Sequence, residues 1–275
     1  MLYNLKEILQ LSQKGKNAVA AFNVFGYEDA YAVVQAAEKL NKPVILMANR
    51  DAIAHMGAQI IGSIILQLAE KSTVPVCVHL DHSLTVEAVG DAIEAGFTSV
   101  MIDASQLPFE ENVAVTRQVV EMARPKNVSV EAEIGSVGYS DSNMRTNAVF
   151  TDPEQAKQFA QVTGADAVAV AVGTVHRMVT QGVNLQFDRL DQISGLLEVP
   201  IVIHGSTGVS DDDLSRLVRH GAQKINLGTT LRMAFGNTLR KQVEENPKEF
   251  DRIRLFSKCM EAVQEKAEEK INLIS

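Results

Sequence analysis

The most constraining feature of this chain is the alternation of short, β-branched apolar runs with amphipathic stretches, repeating roughly every 25 to 35 residues. The runs are Ala18–Asn23, Pro43–Ala48, Pro75–Leu80, Ser99–Ile102, Val128–Glu133, Ala167–Val172, Pro200–Ile203 and Lys224–Asn226. Near-continuous apolar runs suit strands buried on both faces, which parallel strands with covering helices provide. The stretches between them, such as Tyr27–Leu40, Leu84–Ala95 and Asn112–Ala123, have helical periodicity. Eight strands close a barrel, and 275 residues suit one barrel domain. The expectation is an α/β chain, a (β/α)8 TIM barrel, with residues 1–275 as a single domain. A doubly wound open sheet would usually begin with a glycine-rich turn, whereas Phe22-Asn23-Val24-Phe25-Gly26 is followed by no G-x-G-x-x-G.

Element boundaries are legible at several points. Thr151-Asp152-Pro153-Glu154 and Ser210-Asp211-Asp212-Asp213 read as helix starts, with capping side chains ahead of the first turn. Gly96, Gly164 and Gly221 each follow a helical run, where a left-handed terminator belongs. Gly135 to Phe150 is the longest stretch with no clean element, which makes it a candidate active-site lid. Pro247–Ile274 reads as a charged amphipathic tail helix, either packed on the barrel or forming an oligomer contact.

Charge narrows the partners. Twenty-six basic and 34 acidic side chains give a net charge of -8, so no overall basic field exists for nucleic acid or an anionic membrane. An anionic substrate must then be held by a local site. Cys77 and Cys259 are far apart and form no C-x-x-C pair, which fits a reducing compartment. The first residues carry no signal pattern, and no run approaches the roughly 18 apolar residues of a membrane span. A cytoplasmic protein is expected.

Three of the six histidines, His82, His176 and His204, fall just past the third, sixth and seventh runs. Parallel barrel strands bring their C-terminal ends to one face, where three imidazoles can hold a divalent metal and leave positions open. One such histidine alone is more often a hydrogen-bonding residue; the three together point to a metal. His55, His79 and His220 read as surface or packing residues. Asp81 precedes His82 and stands where it can relay a proton or orient a hydroxyl. Glu131 and Glu133 share one face of the fifth strand, an arrangement that requires pairing or a metal. His204-Gly205-Ser206-Thr207-Gly208 and Asn226-Leu227-Gly228-Thr229-Thr230 follow strands seven and eight, where barrels commonly bind phosphate on helix N-termini.

Taken together, Asp81-His82, Ser99–Asp103, Ser129–Gly135, Thr151–Glu154, Ala169–His176 and His204-Gly205 resemble the class II, metal-dependent ketose-bisphosphate aldolases, closest to those for fructose and tagatose bisphosphates. The resemblance covers nearly the whole chain. It implies reversible aldol cleavage of a phosphorylated ketose to dihydroxyacetone phosphate and an aldehyde, with Zn2+ polarising the carbonyl and a monovalent cation (Na+ or K+) near the phosphate. By motif it implies His82, His176 and His204 as zinc ligands, Glu133 as an acid at the metal site, and Asp81 as the acid exchanging a proton with the C4 hydroxyl. Asn23, Asn49, Gly205, Thr207, Asn226 and Thr229 become substrate-binding residues, and a homodimer or homotetramer is implied.

The departures from the family pattern concern the loop acid and the distal end of the substrate. Asp141 stands where the family's lid has a Glu, a carboxylate one methylene shorter. Arg177 replaces a Gly after His176, and Arg50 occupies a position usually acidic or small. Gly228 replaces an Asp or Ala. The family's Asp-Pro-Arg, whose Arg meets the distal phosphate, is here Asp251-Arg252-Ile253, so Arg252 or Arg254 is the replacement. Arg50 and Arg177 point to a distal group other than phosphate, such as a carboxylate or sulfonate. Two further readings are a zinc hydrolase on the same barrel and a degenerate binding protein.

Overall fold

The computed structural model describes residues 1–139, 148–177 and 184–275. Eight parallel strands close into a barrel: β1 Val19–Asn23, β2 Val44–Ala48, β3 Val76–Ser83, β4 Ser99–Ile102, β5 Ser129–Ile134, β6 Ala167–Val170, β7 Ile201–Ile203 and β8 Ala222–Leu227. Each pairs with its sequence neighbour, and β8 pairs with β1 through Lys224–Val19 to Leu227–Phe22. This is the expected (β/α)8 TIM barrel. The ends of the runs shift: β3 continues to Ser83 rather than stopping at Leu80, β8 spans six residues, and β6 stops at Val170.

Alternation along the strands sorts side chains between two cores. Outward-facing Ala20, Phe22, Leu46, Val78, Val100, Val130, Val168 and Ile225 pack beneath the covering helices. Inward-facing Val19, Ala21, Ile45, Met47, Cys77, Met101, Ala167 and Val202 form a separate apolar core. That inner core includes Leu5, Ile8 and Leu9 of a short helix, Leu5–Leu9, that plugs the N-terminal end and was not anticipated from the sequence. Its cap is reciprocal: Asn4 accepts from the Glu7 backbone while Glu7 accepts from that of Asn4. Further along the same strands the inward positions become polar: His79 and Asp81 on β3, Glu131 and Glu133 on β5, Lys224 and Asn226 on β8. The interior is therefore apolar at one end and charged at the other, where the site lies.

The predicted helix starts hold. Asp152 caps Pro153–Thr163 and Ser210 caps Asp211–Arg219. Gly96, Gly164 and Gly221 all have positive φ. The C-terminal helix, Arg252–Ile274, packs on Tyr27–Leu40 and Thr229–Glu245 through buried Cys259, Val263, Ala267 and Ile271. The Gly135–Phe150 stretch has more structure than its composition suggests: Ser136 bridges Val149, and Gly138-Tyr139 pairs with Val175-His176. Asp141 lies outside the described residues. No single helix among the described residues is long and apolar enough to cross a membrane.

Candidate active site

The three predicted histidines converge at the C-terminal mouth. Ligand-capable nitrogens of His82, His176 and His204 lie within 4.8 Å of one another. Two local features make this possible. Asp81 and His82 are consecutive on β3, yet both turn inward because His82 has a φ of 52°, where the β3–β4 register shifts between Leu80 and Ser83. Beside His204, Gly205 has a φ of 66°, and a Cβ there would lie 2.8 Å from the Val175 carbonyl carbon. Glycine thus lets the Val175-His176 segment approach the end of β7.

The outer nitrogens of two histidines are held by carboxylates. His82 Nδ1 donates to Asp103 at 3.0 Å, and His204 Nε2 donates to Glu131 at 2.8 Å. This leaves His82 Nε2 and His204 Nδ1 facing each other at 2.8 Å. Carboxylates behind imidazoles are the usual support for metal-binding histidines, since they fix the ring and the tautomer. Burial pushes His176 and His204 well below the ordinary histidine range, which keeps their lone pairs available. His82 moves the other way: although burial opposes it, Asp81, Asp103 and Glu133 raise it to about 9. Burial and Asp103 raise Glu133 to about 8. Glu133 Oε2 is buried with no hydrogen-bond partner among the described residues, and Glu133 also forms a second potential ligand group with His82 and Asp103. Three nitrogen donors, two of them supported from behind by carboxylates, with an orphaned carboxylate oxygen nearby, fit a divalent metal of zinc's preferences.

Asp81 is held at both oxygens. Asn23 Nδ2 donates to one at 2.9 Å and Asn226 Nδ2 to the other at 3.0 Å. Burial opposes its charge, but His82, His204 and Lys224 outweigh this and hold Asp81 below the usual carboxylate range. Asn226 is fixed in turn by Lys224, whose ammonium donates to Asn226 Oδ1 at 2.7 Å and to Glu131 at 2.8 Å.

A cleft opens above these groups. Asn23, Asp81, His82 and His176 form part of its floor, and Gly205, Ser206, Thr207, Asn226, Gly228 and Thr229 line one side. Thr229 opens the long helix Thr229–Glu245, whose first N–H groups are available to an anion. Asn49, Arg50, Asp51, Arg177 and Arg232 form the rim. Asn49 also caps the helix Arg50–Met56 by accepting from Ala52. Arg177 donates to Asp51 at 3.0 Å, so its anion in this structure is a residue of the protein. Arg252 does not line the cleft; it pairs with Glu28 at 2.8 Å on the exposed start of the C-terminal helix. Sequence reasoning missed Asp51, Arg232 and Lys224. Only the even spacing of Lys224 and Asn226 along β8 signalled that the lysine points inward.

The sequence matches the family "Fructose-bisphosphate aldolase class-II" over residues 3–275. Among solved structures, the YdjI aldolase from Escherichia coli K12 is 32% identical, with all of this chain and 98% of that one covered at a TM-score of 0.86. A putative fructose-1,6-biphosphate aldolase from Coccidioides immitis is 25% identical over 98% of this chain and 96% of that one, TM-score 0.88. The fructose-bisphosphate aldolase of Campylobacter jejuni, 22% identical over 99% of this chain and 95% of that one, shares the fold with a TM-score of 0.84. Nothing observed favours the hydrolase or binding-protein readings. A match running from end to end, on a barrel that gathers its histidines and acids at one mouth, makes this chain a member of the class II fructose-bisphosphate aldolase family, a carbon–carbon lyase.

Proposed function

We propose that this protein catalyses reversible aldol cleavage of a ketose 1-phosphate with an anionic far end, releasing dihydroxyacetone phosphate and an aldehyde. The observation that carries this reading is the convergence of His82, His176 and His204 beside an Asp81 held at both oxygens. The histidines would hold Zn2+, with Glu133 close by, and the metal when bound supplies Lewis-acid polarisation of the ketose carbonyl.

The residues of the chain do the rest. Thr207, Thr229 and the backbone N–H groups around Gly205 and Gly228 bind the phosphate of the dihydroxyacetone end, with Na+ or K+ alongside. Asn23 and Asn226 orient Asp81 toward the C4 hydroxyl. As the C3–C4 bond breaks, Asp81 takes the hydroxyl proton, C4–O becomes the aldehyde carbonyl, and the bonding pair stays on the three-carbon fragment. That fragment then takes a proton at C3, a role assigned to Asp141. Fructose and tagatose 1,6-bisphosphates are the first substrates to assay, with tails other than phosphate next. Exposed Phe250 and Ile253, before and at the start of the C-terminal helix, support assembly as a homodimer or homotetramer. Cytoplasmic residence fits the same reading.

The test is release of dihydroxyacetone phosphate by the zinc-loaded protein, measured by coupled reduction, with His204→Ala as control. Release that depends on His204 supports the reading; no release from any ketose 1-phosphate overturns it.

A further inference from the structure

Lys224 is a fully buried cation on β8 that does not line the cleft. A buried ammonium is costly, so its partners decide why it is there. Its two bonds lead in different directions. Nζ donates to Glu131 Oε2 at 2.8 Å and to Asn226 Oδ1 at 2.7 Å. Glu131 carries the contact on through its other oxygen, which accepts from His204 Nε2 at 2.8 Å. Asn226 carries it on through Nδ2, which donates to Asp81 Oδ1 at 3.0 Å.

An ammonium offers donors and no acceptor, so it turns the Asn226 carbonyl toward itself and the amide N–H groups toward Asp81. The second amide at Asp81 lacks such a hold. Asn23 Nδ2 donates to Asp81 Oδ2 at 2.9 Å, but Asn23 Oδ1 is buried with no hydrogen-bond partner among the described residues. Of the two amides that grip Asp81, Asn226 is therefore the one whose orientation is set from behind. Glu131 Oε2 depends on the same ammonium, because His79 Nε2 lies 3.7 Å from it, beyond hydrogen-bond reach. A carboxylate fixed at both oxygens presents its lone pairs in one direction, and proton transfer to or from a substrate oxygen is sensitive to that alignment. We propose that Lys224 is a positioning residue for the carbon–carbon bond step: through Asn226 it fixes the Asp81 carboxylate in the orientation that exchanges a proton with the C4 hydroxyl, without itself touching substrate. The proposal rests on the aldolase reading above.

The test compares two activities of the zinc-loaded protein on dihydroxyacetone phosphate. Its condensation with glyceraldehyde or glyceraldehyde 3-phosphate, whichever reacts faster, needs the proton that Asp81 handles at the aldehyde oxygen. Exchange of its C3 proton with deuterated solvent needs no aldehyde. The ratio of condensation to exchange cancels differences in folded fraction and zinc content. Lys224→Met with Glu131→Gln, which leaves neither buried charge unpaired, is expected to lower that ratio roughly tenfold or more. Asn226→Ala is expected to lower it by a similar factor, and the triple variant no further than Asn226→Ala alone. Melting curves establish folding; if the first pair of substitutions does not fold, Lys224→Met with Glu131→Leu, an apolar replacement, takes its place. A lysine with a merely structural role would lower both activities together. An unchanged ratio, losses that multiply in the triple variant, or a wild type that exchanges the C3 proton yet condenses with neither aldehyde overturns this proposal alone. Absence of exchange in the wild type sinks the aldolase reading as well.

Discussion

Lys224 and Glu131 form an ion pair of 2.8 Å inside the barrel, with neither side chain exposed at all. Taking both charges out of water is costly, and the pair is tolerable because each partner is further bonded, Lys224 to Asn226 and Glu131 to His204. The pair thus connects, through Asn226, the hydrogen bonds that hold Asp81 to the carboxylate behind His204.

Removing one half leaves a buried charge without its partner. Lys224→Met is expected to destabilise the fold by about 3–5 kcal/mol, and Lys224→Met with Glu131→Gln by clearly less. Chemical denaturation of the two variants measures the difference. A double loss equal to the sum of the two single losses would mean the pair is not coupled.

Glu131→Gln alone addresses the metal. The amide no longer accepts from His204 as a carboxylate does, so zinc affinity is expected to fall on the order of 10- to 100-fold. Competition with a chromophoric chelator gives the constant.

The proton on His82 gives zinc binding a definite pH dependence. The acids around it hold that proton up to about 9, and a metal can bind only after the proton leaves. Affinity is therefore expected to rise with pH and to level off near the His82 value, with a slope of about one logarithmic unit per pH unit below it. Titration calorimetry in buffers of different ionisation enthalpy reports the released proton directly. A pH-independent affinity between 7 and 9 would remove the assigned role of Asp81, Asp103 and Glu133.

Gly205→Ala probes the close approach at the end of β7. The added Cβ would fall 2.8 Å from the Val175 carbonyl carbon at a φ of 66°. A loss of roughly 1–3 kcal/mol in stability is expected, with weaker metal binding because His176 follows Val175. Thermal unfolding with and without zinc separates the two effects.

Much of the architecture was legible because parallel barrel strands are buried on both faces and so read as apolar runs, while polar residues at their C-terminal ends stand out. His82, His176 and His204 were found this way. Other features were less accessible. The contact of Arg177 with Asp51 joins residues 126 positions apart and depends on barrel closure, which no local pattern encodes. Lys224 and Glu131, 93 apart, pair for the same reason. The left-handed His82 was hidden as well, because nothing in His79-Leu80-Asp81-His82 announces a positive φ. Arg252 was assigned from the family's Asp-Pro-Arg motif, and its pairing with Glu28, 224 positions away, could not be read from that motif.

Asp81→Ala tests the proton transfer at C4. Cleavage is expected to slow on the order of 10²- to 10⁴-fold, with a much smaller effect on proton exchange at C3 of dihydroxyacetone phosphate. Equal loss of both activities would place Asp81 elsewhere in the reaction.

The most direct measurement combines metal content and turnover in one preparation: elemental analysis, chelation, then restoration with zinc, following dihydroxyacetone phosphate release from a ketose 1-phosphate throughout. The account predicts roughly one zinc per chain at the three histidines, loss of release on chelation and recovery on zinc addition. Undiminished release from metal-free protein would contradict it.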